Sequence, residues 1–202
     1  MKEYENELYK NGIELIGGVD EVGRGPLVGP VVCACVILPK DYYNKEINDS
    51  KKISEKKREK LFDTIMNDAI GVGIGVSSEK VIDKINILEA TKLAMKEAIN
   101  KCNVKPEHVL IDAVKLDIDI PSTSIIKGDA KSQSIAAASI IAKVTRDRMM
   151  DELDLKYPMY LFKKNKGYGT KAHIEAIRKY GIIDEHRRSY GPVKNYLEEN
   201  KK

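Results

Sequence analysis

Four acids in this chain stand apart from the rest. Asp20, Glu21, Asp112 and Asp129 lie in apolar or glycine-rich surroundings, whereas most other acids fall among lysines on polar faces. Asp20 follows Ile16-Gly17-Gly18-Val19 and Asp112 ends Val109-Leu110-Ile111, so both belong at or near a sheet. An unpaired carboxylate there is costly, and something positive has to compensate it. Carboxylates that share a site repel one another unless cations bind between them. Hard oxygen ligands without His or Cys suit Mg²⁺ or Mn²⁺ rather than zinc. The plainer alternative is that each acid caps a helix or pairs with a lysine. That alternative weakens once two strand-end acids occur together with the motif that follows them.

The motif is Gly23-Arg24-Gly25-Pro26, directly after the acidic pair. Glycines on both sides of an arginine let the main chain approach a ligand, offering amides and a guanidinium to a phosphate or a sugar hydroxyl. The string has neither P-loop nor dinucleotide-binding spacing, so it does not point to ATP or NAD. A second string, Asn165-Lys166-Gly167-Tyr168-Gly169-Thr170, sets an aromatic between glycines in a basic stretch. Such a tyrosine can show its face to a base or sugar while lysines meet phosphates. On local grounds a tyrosine packed in a tight turn explains the string equally well. Basic residues cluster at Lys51, Lys52, Lys56, Lys57, Arg58 and Lys60, at Lys163, Lys164, Lys166 and Lys171, and at Arg187 with Arg188. They are read as a stripe that tracks phosphates, or else as solvated helix faces.

The elements that must position these residues follow from periodicity and punctuation. Strands are expected at 13–19 and 31–38, paired antiparallel because their connection is short. Ser54 is expected to cap a helix with Leu61, Phe62, Ile65, Met66 and Ala69 inward. A glycine-alternating strand is expected at 71–76, with its glycines where a helix packs close. A long helix over 78–101 would put Val81, Ile85, Leu88, Met95 and Ile99 on one face. Short strands at 109–111 and 123–126 precede a helix over 132–153, whose Ala136, Ala137, Ala138, Ser139 and Ala142 permit close packing on a sheet. Thr170 is expected to cap a helix to Tyr180, with Gly181 just beyond it. The order predicts an α/β domain, a mixed sheet covered by helices.

Composition narrows the class. The chain has 202 residues, 42% apolar and 33% charged, which fits a globular protein with a core and argues against disorder. The net charge of +4 is too small to identify a nucleic-acid binder by itself. The longest apolar stretch, 31–38, is walled by Pro30 and Pro39 and is too short to span a bilayer. The N-terminus shows neither a secretory signal nor an Arg-rich transit peptide. Cys33, Cys35 and Cys102 read as reduced core residues, so a cytoplasmic protein is expected, with a monomer as the simplest state.

Several separated strings together resemble the bacterial ribonuclease HII family, the type 2 ribonucleases H. They are DEVGRGPLVGPVV from Asp20, NDSKKIS from Asn48, the strand ending at Asp112, KGDAKSQSIAAASIIAKVTRD from Lys127, NKGYGT from Asn165 and HRRSYGPV from His186. The resemblance implies a ribonuclease H-like mixed five-stranded sheet flanked by helices. Residues 1–156 would form the catalytic domain and 157–202 a C-terminal helical extension carrying GYGT. It also implies an endonuclease that cuts the RNA strand of RNA–DNA hybrids and incises 5′ of single ribonucleotides embedded in duplex DNA. Its products would carry 3′-hydroxyl and 5′-phosphate ends.

Carried over by position, the metal-binding and catalytic acids are Asp20, Glu21, Asp112 and Asp129, with two Mg²⁺ or Mn²⁺ ions in the active complex. Gly23, Arg24 and Gly25 match the part that recognises the 2′-hydroxyl, and Tyr168 matches the tyrosine that packs at the ribose. Ser50 and Lys51 of the NDSK string are assigned to substrate binding. Asp147 is read as structural or peripheral. Where many members carry Asp-Gly, this chain has Asp112-Ala113, and alanine resists positive φ, so a differently shaped strand end is expected. Two divalent ions would activate water and stabilise the leaving oxygen, so no histidine base is needed. His108, His173 and His186 are scattered and read as structural or surface residues. Adjacent strand residues face opposite ways, so a strand end or bulge is expected at Asp20-Glu21.

Two readings from other classes compete. A non-catalytic nucleic-acid binding module would use the basic groups and Tyr168 without the acids. A phosphotransfer receiver-like domain would use the acidic pair and Asp112 as a phosphoacceptor pocket, against which the antiparallel start of the sheet argues.

Overall fold

The computed structural model describes residues 1–200; Lys201 and Lys202, the end of the expected extension, lie outside the described residues. Five strands form one mixed sheet: β1 Ile16–Val22, β2 Val31–Ile37, β3 Gly71–Ser77, β4 His108–Asp112 and β5 Ser122–Ile125. Their spatial order is β3-β2-β1-β4-β5. The first three pair antiparallel, as the short β1–β2 connection predicts, and β4 and β5 join parallel.

Helices cover both faces. Alternation along β2 sends Cys33, Cys35 and Ile37 toward α3, Glu79–Lys101, and Val32, Ala34 and Val36 toward α2, Glu55–Asp68, and α4, Gln133–Lys156. A β-carbon on Gly75 would stand 2.0 Å from the Ala94 carbonyl oxygen, so α3 lies directly on the glycines of β3. The alanines of α4 are wholly buried on the opposite face. Beyond residue 157 come α5, Phe162–Asn165, α6, Lys171–Tyr180, and α7, Gly191–Glu199. These pack with Leu27 and Val28 around a separate apolar cluster.

Three elements differ from expectation. The first strand runs three residues later than 13–19, so Asp20 and Glu21 lie within it. The helix over 78–101 breaks at Asn86, which takes φ +68. The Asn86 side chain accepts from the Leu88 and Glu89 amides at 2.9 and 3.1 Å and restarts the helix as a cap. The break turns Leu88 off the shared face, leaving it 42% exposed. The charged N-terminus forms α1, Glu3–Lys10, which sequence periodicity did not announce. Its Glu5 is buried and accepts from Ser132 Oγ at 2.7 Å and the Ser134 amide at 3.0 Å, holding the start of α4.

Candidate active site

Parallel pairing of β1 with β4 ends at Val19 opposite Ile111. Asp20 and Asp112 therefore occupy the next rung of neighbouring strands, on the face that α4 covers. Asp129 reaches the same end from a short 3₁₀ turn, Gly128–Ala130, that leads into α4. The Gly128 amide donates to Asp112 Oδ1 at 2.7 Å and ties that turn to the strand. Of the expected strand end or bulge, the first is present, since the β1–β4 ladder stops at Val19, and the second is not, since the β1–β2 register is unbroken through Val22 opposite Val32. Every strand position keeps its partner, so Glu21 alternates to the other face, where its carboxylate lies 3.5 Å from Arg24 Nη1.

The electrostatics are those of crowded acids. Burial, followed by the charges of Glu21 and Asp112, holds the Asp20 carboxyl well above the usual carboxylate range. The neighbouring Ser139 hydroxyl and the Glu21 amide, which donates to Asp20 Oδ1 at 2.7 Å, oppose that rise. Glu21 is raised by burial against the pull of Arg24, with Asp112 adding to the rise. Asp129 is raised by burial and by Asp49 and Asp112, against Lys51. Glu21 Oε2 is buried with no hydrogen-bond partner. Among the described residues no three His, Cys, Asp or Glu side chains form a ready-made metal cluster. An all-oxygen donor set in which Asp20, Glu21 and Asp129 are raised, with an orphaned carboxylate oxygen, nevertheless fits a hard divalent cation, whose charge would relieve the repulsion.

The loop after β1 is shaped by two buried arginines. Arg187 donates to the carbonyls of Gly23 at 2.6 Å, Arg24 at 2.9 Å and Gly29 at 2.9 Å. Arg146 donates to those of Val28, Pro30 and Lys166. Gly23 takes φ +92, and a β-carbon there would stand 2.2 Å from Arg146 Nε, so only glycine fits. In a trans peptide C=O and N–H point opposite ways. With the Gly23 and Arg24 carbonyls drawn toward Arg187, the Arg24 and Gly25 amides face away from it. Among the described residues no acceptor meets either amide.

The same loop is stitched to the GYGT segment. The Leu27 amide donates to the Gly167 carbonyl at 2.8 Å, and a β-carbon on Gly25 would lie 3.4 Å from Tyr168 Cε1. The Tyr168 ring thus lies beside the Gly23-Arg24-Gly25 turn, in a residue that is 47% exposed. His173 Nδ1 holds the Tyr168 carbonyl at 2.9 Å.

The NDSK string approaches from the far side. Ser50 is buried, its hydroxyl 2.8 Å from that of Ser139, so its side chain is spent inside the protein. Arg58 donates to the carbonyls of Ser50 and Ile53 and lies 3.9 Å from buried Asp147, which also accepts from Lys143. This network holds Lys51 where its charge reaches Asp129.

Several sequence assignments change. Arg58, Lys166 and Arg187 belong to no phosphate stripe: Arg187 is wholly buried, and Lys166 pairs with Asp151 at 2.8 Å. A run of basic letters carries no sign of which members turn inward. His173 and His186 are not scattered, since their Nε2 atoms stand 3.2 Å apart in the interior. His108 does lie apart, against Thr123 Oγ1 at 2.9 Å. Ala113 does adopt positive φ, at +51°, so the strand end keeps a glycine-like turn at the cost of strain. Ser139 reads in the sequence only as a small residue for close packing, and Arg146, in the polar run 143–148, carries no local sign that its side chain turns inward onto backbone carbonyls.

A five-stranded sheet in this order, with acids at the adjoining ends of β1 and β4, defines a ribonuclease H-like nuclease. Solved structures agree. Ribonuclease H2 from Pyrococcus horikoshii OT3 superposes with a TM-score of 0.79 at 27% identity, covering 91% of this chain and 97% of that one. Ribonuclease HII of Archaeoglobus fulgidus, solved in a complex with PCNA, gives a TM-score of 0.74 at 25% identity, covering 88% and 95%. The ribonuclease HII family model matches residues 17–192. Ribonuclease HII of Bacillus mycoides (strain KBAB4) is 58% identical over 198 residues, 98% of this chain and 77% of that protein. Its counterpart from Bacillus cereus (strain B4264) is 59% identical over the same shares. The chain belongs to the ribonuclease HII family and is an endoribonuclease.

Proposed function

We propose that this endoribonuclease hydrolyses the RNA strand of RNA–DNA hybrids and incises 5′ of single ribonucleotides in duplex DNA, leaving 3′-hydroxyl and 5′-phosphate ends. The observation that carries this reading is the Tyr168 ring beside a loop that offers two unpartnered amides and Arg24, next to the acid cluster. A site built to hydrogen-bond a 2′-hydroxyl rejects a deoxyribonucleotide, because its donors are then left unpaired. The Arg24 and Gly25 amides supply such donors, and the ring gives the sugar a face to pack on. Lys51 and the exposed lysines 163 and 164 supply phosphate contacts that carry no sequence preference.

Asp20, Asp112 and Asp129 would hold Mg²⁺ or Mn²⁺, and Glu21, whose side chain starts on the other face, would reach the same ions past the strand end, where Asp112 already bears on its carboxyl. A related fold, Bst-RNase HIII, has been solved with Mn²⁺ at 19% identity and a TM-score of 0.72. When bound, such ions supply charge neutralisation at the phosphate and lower the pKa of attacking water. The raised pKa values of Asp20, Glu21 and Asp129 make cation binding and deprotonation mutually reinforcing. We further propose that residues 1–156 carry this chemistry, that 157–202 contribute the sugar reader, and that the enzyme works as a monomer in the cytoplasm. No described helix is long and apolar enough to cross a membrane.

The test is product mapping on a duplex with one ribonucleotide, in Mg²⁺ and in Mn²⁺. A single cut 5′ of that nucleotide, with 3′-hydroxyl and 5′-phosphate ends, is expected. Cleavage of long hybrids without incision of this substrate would confine the activity to hybrids.

A further inference from the structure

We propose that His173 and His186 are positioning residues: two neutral imidazoles form a one-way hydrogen-bond relay that sets where the Tyr168 ring stands. The function assigned to that ring rests on the reading above, whereas the relay rests on its own geometry.

The direction of the relay follows from its ends. The Ile183 amide donates to His186 Nδ1 at 2.9 Å, so that nitrogen carries no proton and the proton of neutral His186 sits on Nε2. At the other end His173 Nδ1 meets the Tyr168 carbonyl at 2.9 Å, and a carbonyl can only accept, so His173 carries its proton on Nδ1. The bare Nε2 of His173 then accepts from His186 Nε2 at 3.2 Å. All four ring nitrogens are used, and each imidazole has one allowed tautomer. A proton added to either ring would set two donors against each other.

The surroundings suit uncharged rings. Both histidines are buried, boxed by Tyr160 and Phe162, whose rings meet them edge-on or tilted at centroid distances of 5.4–6.4 Å. Burial pushes both below the usual imidazole range.

The relay adds a side-chain tie between two segments that the Leu27 amide and the Gly167 carbonyl already join through backbone. Residue 168 sits in a glycine-flanked turn whose backbone is pinned by the Tyr168 amide to the Asn165 carbonyl at 2.9 Å and by the Thr170 amide to the Tyr168 carbonyl at 2.8 Å, and the relay adds a side-chain hold on that same carbonyl. His186 bridges Val28 across a single β-pair, at the end of the loop that begins with Gly23. The imidazole pair therefore spans from the backbone of that loop to the backbone of Tyr168, fixing one against the other.

Two measurements on the full chain test this. Long-range ¹H–¹⁵N NMR of the imidazoles at pH 7 is expected to show His173 as the Nδ1–H tautomer and His186 as the Nε2–H tautomer. Identical tautomers, or a charged ring, would overturn the relay whatever the enzyme cuts. The second is a double-mutant cycle. His173→Phe keeps an aromatic ring in the box and is expected to lower kcat/KM on the one-ribonucleotide duplex by about tenfold, chiefly through KM. In a Tyr168→Ala background the same change is expected to add little further loss. Equal losses in both backgrounds would show that His173 does not act through Tyr168. His173→Asn, which keeps a donor near the Tyr168 carbonyl but severs the link to His186, serves if the Phe variant does not fold and is expected to show the same epistasis. If the wild type leaves that duplex uncut, the assigned function fails, while the NMR result still decides the relay.

Discussion

The Arg187 guanidinium donates to the Gly23 carbonyl oxygen at 2.6 Å, although the two residues lie near opposite ends of the chain. Lysine at 187 would keep the positive charge, but its compact ammonium cannot span the carbonyls of Gly23, Arg24 and Gly29 together. Arg187→Lys is expected to lower stability by about 2–4 kcal/mol in urea denaturation, since buried carbonyls lose charged donors. It is also expected to weaken discrimination between a ribonucleotide and a deoxyribonucleotide at the cut site. A Lys variant as stable and as selective as the parent would show that the fork does not shape the loop.

Asp20 is buried among like charges, and its carboxyl is held well above the usual range. A raised folded-state pKa gives stability that is present below the unfolded value and is lost as pH rises through the folded one. Without divalent ions, ionising this group therefore costs the fold stability. Asp20→Asn is expected to raise Tm in chelator at pH 7.5 while cutting turnover by ~10³-fold or more. Calorimetry with and without chelator, beside an incision assay, checks both; a fall in Tm in chelator would contradict the electrostatic account.

Ala113 holds φ +51 on an exposed turn, where its side chain contributes little packing. Relief of left-handed strain outweighs the extra chain entropy of glycine, so Ala113→Gly is expected to gain about 0.5–1 kcal/mol. The midpoint of urea unfolding should rise with its slope unchanged. No gain would mean that the Val114 amide bond to the Asp112 carbonyl, at 2.6 Å, already offsets the strain.

Burial, with the nearby His173, pushes His186 down to about 3. A depressed histidine pKa gives stability that is complete above the unfolded value and declines as pH falls toward the folded one. Between pH 6.5 and 5 this group alone is expected to cost about 2 kcal/mol. His186→Gln should flatten that part of the stability profile, as read by denaturant titration at each pH. An unchanged slope would mean that other groups set it.

These cases show what could be read from the letters. Short apolar runs, alternating only at 71–76, located all five strands, the first of them three residues early, and glycine at 75 marked where α3 lies close, because both signals are local. Asp20 and Asp112 could be singled out as strand-end acids, but their common rung depends on a parallel pairing across ninety residues of sequence. Arg187 looked like half of a basic pair, since its partners are main-chain oxygens and a carbonyl leaves no trace in composition. The break at Asn86 was hidden because apolar spacing continues through it. Likewise, His173 and His186 became a pair only when α6 and the loop before α7 were brought together.

The stitching of the loop at 23–30 to residues 165–187 has a consequence for biogenesis. The acids at 20, 21, 112 and 129 leave the ribosome well before Arg187, so an unfinished polypeptide holds the charged cluster while the turn at 23–25 is still unshaped. The shape of that turn is thus the last feature of the site to form, and truncation in the final stretch is expected to lose it before touching the central sheet.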